Sequence, residues 1–240
     1  MLAPIVLFTY NRLDSLIETV DSLKLNFLSK QSDLIIFSDA AKNDESLMPV
    51  NRVRDYIITI QGFKSVTIYH SESNKGLAKS IIEGVTKVIN EFGKVIVLED
   101  DLVTSRNFLN FMNESLDFYT ENSFVFSVSG YAPSIKKELL DVHDAFFYGR
   151  AHSWGWGTWK DRWENVDWDV SDWERQSKQR DFRKKIGYYG SDLFKMMQDF
   201  LNKRNNSWYV RFTFSQQLLQ KYTIYPFSTK VVNIGFNSDA

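Results

Sequence analysis

Through its first 130 residues the chain alternates short apolar runs with stretches of helical period, and few folds accept that alternation. "APIVLF" is followed by "LDSLIETVDSL", which sets Leu13, Leu16, Ile17, Val20 and Leu23 on one helical face. The unit repeats: "DLIIFSD" and then "VNRVRDYIITI"; "SVTIYH" and then "GLAKSIIEGVTKVINEF"; "KVIVLED" and then "RNFLNFMNESLDFY", with Thr104 or Ser105 as the expected cap; and last "FVFSVSG". Apolar strands separated by amphipathic helices predict an α/β fold with a mostly parallel sheet covered on both faces. Ligands of such sheets bind beyond the carboxyl ends of the strands. The polar groups "TYNR", "SDAAKND", "HSESNKG" and "EDD" all fall at such ends.

Composition narrows the chemistry. Lys and Arg total 29 against 30 for Asp and Glu, so no global field recruits nucleic acid or acidic lipid. Cysteine is absent, which removes disulfides, thiolate zinc sites and thiol nucleophiles. No run approaches the length of a transmembrane helix and the start lacks a leader, so a cytoplasmic protein is expected, or one peripheral at the inner membrane surface.

The triplet Glu99, Asp100, Asp101 ends the fourth apolar run. Acids there can cap the next helix, whose N-terminal dipole favours negative charge. That accounts for one acid well and three poorly, because adjacent carboxylates raise one another's pKa unless something neutralises them. A hard divalent ion, sharing its shell with water and phosphate oxygens, would do so.

With "VLEDDL", the opening "PIVLFTYNRLDSLIETVDSL", "NKGLAKSIIEGV" and the late segment "SWYVRFTFSQQLLQKYTIYPFSTKVVNIGF", the chain resembles glycosyltransferases of the GT-A fold, bacterial family 2 in kind, and N-acetylglucosaminyltransferase I and its relatives. The resemblance implies a Rossmann-like, GT-A sheet flanked by helices: a nucleotide-sugar-binding half over residues 1–130 and an aromatic-rich acceptor-side half of the same domain over 131–240, truncated at its C-terminus because a metal-completing His of the relatives is not reached. It implies Mn²⁺ or Mg²⁺, with Asp101 as direct ligand and with Glu99 and Asp100 contacting nucleotide, ribose or the metal's waters. Asp39 would bind base or ribose, and Thr9 and Arg12 would line the same pocket; the alternative for Asp39 and Thr9 is turn and cap formation. Asn74 and Lys75 could face the diphosphate or sugar, with Gly76 giving close backbone approach or simply starting a helix.

All 7 Trp fall between Trp154 and Trp208. Indoles interleaved with Gly155 and Gly157 form either a sugar-stacking platform, with Trp154, Trp156 and Trp208 its members, or a structural cluster. Inverting transfer needs a general base. In the related pattern an Asp follows the Trp that aligns with Trp208, where this chain has Tyr209. The candidates become Asp161 and Glu164, whose alternative is surface pairing with Lys160 or Arg162; His152 is either a phosphate or metal contact or structural.

The function expected from this resemblance is metal-dependent, inverting transfer of a hexosyl or N-acetylhexosaminyl group from a UDP-linked donor to a glycan or lipid-linked acceptor in bacterial surface polysaccharide synthesis, with no nucleic-acid partner. A non-catalytic carbohydrate-binding protein and a sugar-nucleotide nucleotidyltransferase are the alternatives.

Overall fold

A computed structural model describes residues 1–133 and 144–235. The expected helices and parallel strands form: β1 (Ile5–Thr9), α1 (Leu13–Lys24), β2 (Asp33–Ser38), α2 (Asp44–Ile57), β3 (Ser65–His70), α3 (Leu77–Phe92) and β4 (Lys94–Glu99). Then follow β5 (Leu102–Thr104), α4 (Phe108–Phe118), β6 (Val125–Ser129), β7 (Ala145–Tyr148) and β8 (Trp156–Trp159). The short helices α5 (Lys160–Trp163), α6 (Trp173–Ser177) and α7 (Phe182–Gly187) lead to α8 (Leu193–Leu201), α9 (Trp208–Leu218), β9 (Tyr222–Pro226) and β10 (Val231–Asn233).

Eight strands make one sheet in the order β3-β2-β1-β4-β8-β6-β9-β7. β1 to β4 are parallel, β8 runs antiparallel between β4 and β6, and β9 is parallel to β6. Alternate side chains serve opposite faces. Ile5 and Leu7 pack with Leu16, Val20 and Ile57 beneath α1 and α2, while Val6 and Phe8 pack with Ile81, Val85 and Phe212 beneath α3 and α9. Both faces are therefore covered, which is why the strands read as unbroken apolar runs.

Three local expectations change. Thr104 and Ser105 do not cap α4; Thr104 pairs with Val231 in the small β5–β10 sheet, and the helix starts at Phe108, whose N–H donates to the Ser105 carbonyl. α2 begins six residues before Val50, because Asn43 and Ser46 form a capping box there. Trp156 to Trp159, expected within a sugar-stacking platform or a structural cluster, is a central strand. Gly157 has no room for a Cβ, which would stand 2.9 Å from the Val95 carbonyl oxygen and 3.2 Å from Met112 and Leu116, so the glycine lets α4 close on the sheet.

Candidate active site

The carboxyl ends of β1, β2 and β4 converge, and the acids after β4 tie them together. Asp100, buried, accepts from the Arg12 guanidinium (2.7 Å), the Tyr10 N–H (3.1 Å) and the Thr9 hydroxyl (3.2 Å). A second nitrogen of Arg12 lies 3.1 Å from Asp101. Burial opposes the Arg12 charge, yet the two aspartates outweigh it and raise its pKa. In Asp100 burial dominates and pushes the pKa up, against Arg12 and the Tyr10 N–H. Glu99 is pushed up to about 8, by burial first and then by Asp101 and Asp100, with Arg12 opposing. Burial and the neighbouring acids thus both act against ionisation of Glu99 and Asp100, and Arg12 is the cation that opposes them.

Two cavities meet at this point. One, about 450 Å³, is lined by Phe8, Thr9, Tyr10, Arg12, Phe37, Asp39, Lys42, Asn74, Gly76, Glu99 and Asp100, among others. Phe8 and Phe37 in its wall stack with centroids 5.3 Å apart, and Tyr69, outside the wall, stacks on Phe37 at 5.0 Å. Gly76 (φ +73°) opens α3 without a side-chain cap, so the first turn of a 16-residue helix, with its positive dipole end, borders the cavity. Both readings of this glycine hold: it starts the helix and lies in the cavity wall. The second cavity, about 420 Å³, is lined by Asp101, Ser153, Trp154, Asn205, Asn206, Trp208, Tyr209 and others. Leu77 and Glu99 line both.

The fold therefore gathers Thr9, Arg12, Asp39, Asn74, Glu99, Asp100, Asp101, Trp154 and Trp208 around the two cavities. Several have other duties. The Asp39 carboxylate accepts from the N–H groups of Ala40, Lys75 and Gly76 and from the Asn74 amide, so it shapes the loop ahead of α3 and has little capacity left for a base or ribose. Lys75 lines neither cavity, and its ammonium pairs with Glu83 at 2.7 Å. Thr9 gives its hydroxyl to Asp100.

The aromatic platform needs the largest correction. Trp156 is 1% exposed and stacks between Trp208 (5.0 Å) and Trp163 (5.8 Å). Trp208 lines the second cavity but is itself 3% exposed. The indoles of Trp159 and Trp163 donate to the Leu116 carbonyl and the Thr86 hydroxyl, as buried indoles require. Trp154, half-buried beside Tyr131 and His152, is the one expected platform residue that lines a cavity without being fully buried.

The sequence pattern that defines glycosyl transferase family 2 matches residues 5–159, from β1 to the end of β8. The chain belongs to glycosyl transferase family 2. Among solved structures this family 2 chain is similar to S. aureus TarS 1-349 (14% identity, TM-score 0.48, covering 96% of this chain and 59% of that one). It is also similar to the mannosyltransferase PcManGT from Pyrobaculum calidifontis in complex with GDP-Man and Mn2+ (11% identity, TM-score 0.48, 91% of this chain and 70% of that one). The chain thus spans less than two thirds of the TarS chain. No protein of curated function matches it by sequence.

The family 2 match stops two residues short of Asp161, and the structure moves that base candidate away from the site. β8 is antiparallel to β4, so Trp159 stands opposite Lys94, at the sheet end away from the acids. Asp161 there is exposed and paired with Arg162 (2.7 Å); Glu164 faces Lys160 at 3.7 Å. Neither lines a cavity at the acids. Asp161→Asn and Glu164→Gln are expected to leave turnover of a nucleotide sugar within about twofold of wild type, since neither side chain reaches a cavity at the acids; an initial-rate comparison checks this.

His152 lines neither cavity. Its Nδ1 accepts from the Trp154 N–H, its ring stacks on Tyr131 at 4.2 Å, and burial followed by the Arg150 charge pushes its pKa down to about 4, so it is neutral at pH 7. Tyr209 lines the second cavity, accepting from Arg150 (2.7 Å) and donating to the Ala151 carbonyl (3.0 Å).

Residues not anticipated include Tyr10, Phe37 and Lys42 in the first cavity and Ser153, Asn205 and Asn206 in the second. Lys42 forms no ion pair among the described residues, so its charge is available to an anion; the strand-end segment "SDAAKND" carried that signal. The polar run "RNNS" before Trp208 carried the other as a turn signal, though not its destination.

Residues 236–240 lie outside the described residues, and with them the expectation that the chain stops before a metal-completing His. Among the described residues no group of three or more His, Asp or Glu is placed to hold a metal. Mg²⁺ and its like are commonly held by one or two carboxylates together with phosphate oxygens. Asp101 suits that mode in lining the second cavity, with the backbone fitted so closely around the carboxylate that a Cβ on Gly235 would collide with its oxygen, but it is paired with Arg12, which a metal would have to displace from it.

Proposed function

We propose that the chain moves a sugar from a nucleotide diphosphate sugar, UDP-linked, onto a glycan or lipid-linked acceptor of bacterial surface polysaccharide, with inversion and with Mn²⁺ or Mg²⁺. The observation that carries this reading is the junction of two cavities at Glu99, beyond the carboxyl ends of β1 and β4. A donor lying across that junction has its nucleotide against Phe8 and Phe37 and its sugar beside Trp154. Family 2 membership favours this over nucleotidyl transfer.

The residues divide the work. Phe8 and Phe37 give the first cavity an apolar wall for a base to lie against, and Lys42 with the first turn of α3 offers positive charge to a diphosphate. Asp39 fixes the loop that carries Asn74 and Gly76. Asp100 holds Arg12 and the β1 turn against β4. Asp101 would hold the metal, with Glu99 beside it, and the bound ion would supply Lewis-acid stabilisation of the leaving diphosphate. For the ion to take Asp101, Arg12 has to yield that oxygen while keeping Asp100. Trp154, Asn205 and Asn206 offer a ring and amides to sugar hydroxyls.

One observation favours a second reading, a carbohydrate-binding protein without turnover. Among the described residues Glu99 and Asp101 are the only carboxylates lining the second cavity, and Tyr209, the residue after Trp208, has its hydroxyl engaged by Arg150 and Ala151. A panel of UDP-, GDP- and dTDP-sugars with Mn²⁺ separates the readings. Transfer predicts a thermal shift that needs both sugar nucleotide and metal, accompanied by slow release of free sugar; a shift without release supports the second reading, and no metal-dependent shift with any donor contradicts the first.

A further inference from the structure

A third cavity, about 870 Å³, lies among α7, the end of α9 and the start of β9, at the opposite end of that strand from the edge carrying the acids. Gln217 lines it, and both its amide nitrogen and its amide oxygen are buried without a hydrogen-bond partner among the described residues. Buried amides are ordinarily paired because an unpaired one is costly, so a polar group that reached this side chain through the groove would relieve that cost at both its donor and its acceptor. The wall adds three more glutamines and the rings of Tyr188, Tyr189 and Tyr222; Tyr188 is 77% exposed. Lys184, Lys185 and Lys221 line it against the single acid Asp181, and none of the three lysines forms an ion pair among the described residues. Amides, flat aromatic faces and unspent positive charge suit a polyhydroxylated, acidic chain better than an apolar partner.

The position connects this groove to the sugar cavity. Gly149 lines the groove, and the next residue, Arg150, donates from Nε to Tyr209, which lines the sugar cavity, while its two terminal nitrogens hold Asp192 at 2.8 and 2.9 Å. One arginine with its two partners stands between the two spaces. We propose that the groove binds a stretch of the acceptor glycan remote from the reacting sugar and favours glycans that carry acidic groups. The inference rests on the transferase reading given above, and it makes the enzyme one that extends or decorates a chain already several sugars long.

The test uses the full chain with hyaluronate oligosaccharide as acidic probe, maltodextrin as neutral probe and phosphatidylglycerol vesicles as lipid probe, measured by calorimetry and sedimentation. Wild type is expected to bind hyaluronate in preference to maltodextrin. Gln217→Leu and Tyr188→Ala are each expected to weaken glycan binding roughly tenfold, and Lys185→Glu to abolish the preference for the acidic probe. The nucleotide-sugar thermal shift should stay unchanged in all three. Tyr188 is exposed, so its variant reports binding without a folding cost. Binding of neither glycan by wild type, or undiminished binding by the variants, overturns the proposal. Vesicle binding lost in Tyr188→Ala, with no glycan bound, overturns it in favour of a lipid surface. Glycan binding that behaves as expected in a protein giving no nucleotide-sugar shift leaves the groove standing and removes the donor reading instead.

Discussion

Asp101→Asn is expected to lower nucleotide-sugar turnover about 10³-fold, the loss of about 4 kcal/mol of transition-state stabilisation from a displaced metal. Its stability without ligand should hold or rise slightly. Asp101 is one of the charges that push the Glu99 carboxyl upward, so removing it relieves repulsion at the strand end. The Mn²⁺-dependent part of the thermal shift should vanish. Asp100→Ala is the contrasting variant. It removes the partner of Arg12 and of the Tyr10 N–H in a buried setting, and a loss of about 3 kcal/mol follows, equivalent to a Tm lower by roughly 6–12 °C. Neighbouring aspartates thus separate into one whose loss is read in rate and one whose loss is read in melting. Paired initial rates and melting curves for the two variants check this, and equal Tm losses in both would contradict the division.

Trp156→Ala should be the most destabilising single change in the aromatic segment, about 3–5 kcal/mol, because a fully buried indole stacked on Trp163, Trp208 and Phe212 leaves a large void. Trp154→Ala should cost far less stability and instead weaken sugar binding at the second cavity. Melting curves and donor titrations on the two variants make the comparison. A Trp156 variant that melts like wild type but loses sugar affinity would restore the platform that the sequence alone made attractive.

The difference between those two tryptophans shows where sequence reading ran out. The period of "LDSLIETVDSL" or "GLAKSIIEGVTKVINEF" is local, and one helical face facing one sheet is enough to produce it; both helices form where expected. The acids after β4 were legible for the same reason, since a strand end in an alternating fold has a fixed place. "WGWGTW" carries no such period. Its role depends on β8 running antiparallel between β4 and β6, a non-local pairing that turns Trp156 inward and carries Asp161 and Glu164 to the far end of the sheet. β9 was missed as well, although "YTIYP", aromatic and β-branched and closed by a proline, had the composition of a strand. Asp39 was legible as a residue of the site but not in its duty. Its partners are backbone N–H groups 36 and 37 positions away, and composition does not show those.

The central claim is that a nucleotide sugar lies across Glu99 with a metal on Asp101. Crystals of the full chain grown with Mn²⁺ and the nucleotide selected by the donor panel, with anomalous data collected at the manganese edge, test it most directly. The account predicts one manganese peak within coordination distance of Asp101 and of the diphosphate, the base beside Phe8 and Phe37, and Arg12 withdrawn from Asp101 but still on Asp100. A nucleotide bound outside the two cavities, or a manganese peak elsewhere while Arg12 remains on Asp101, would contradict it.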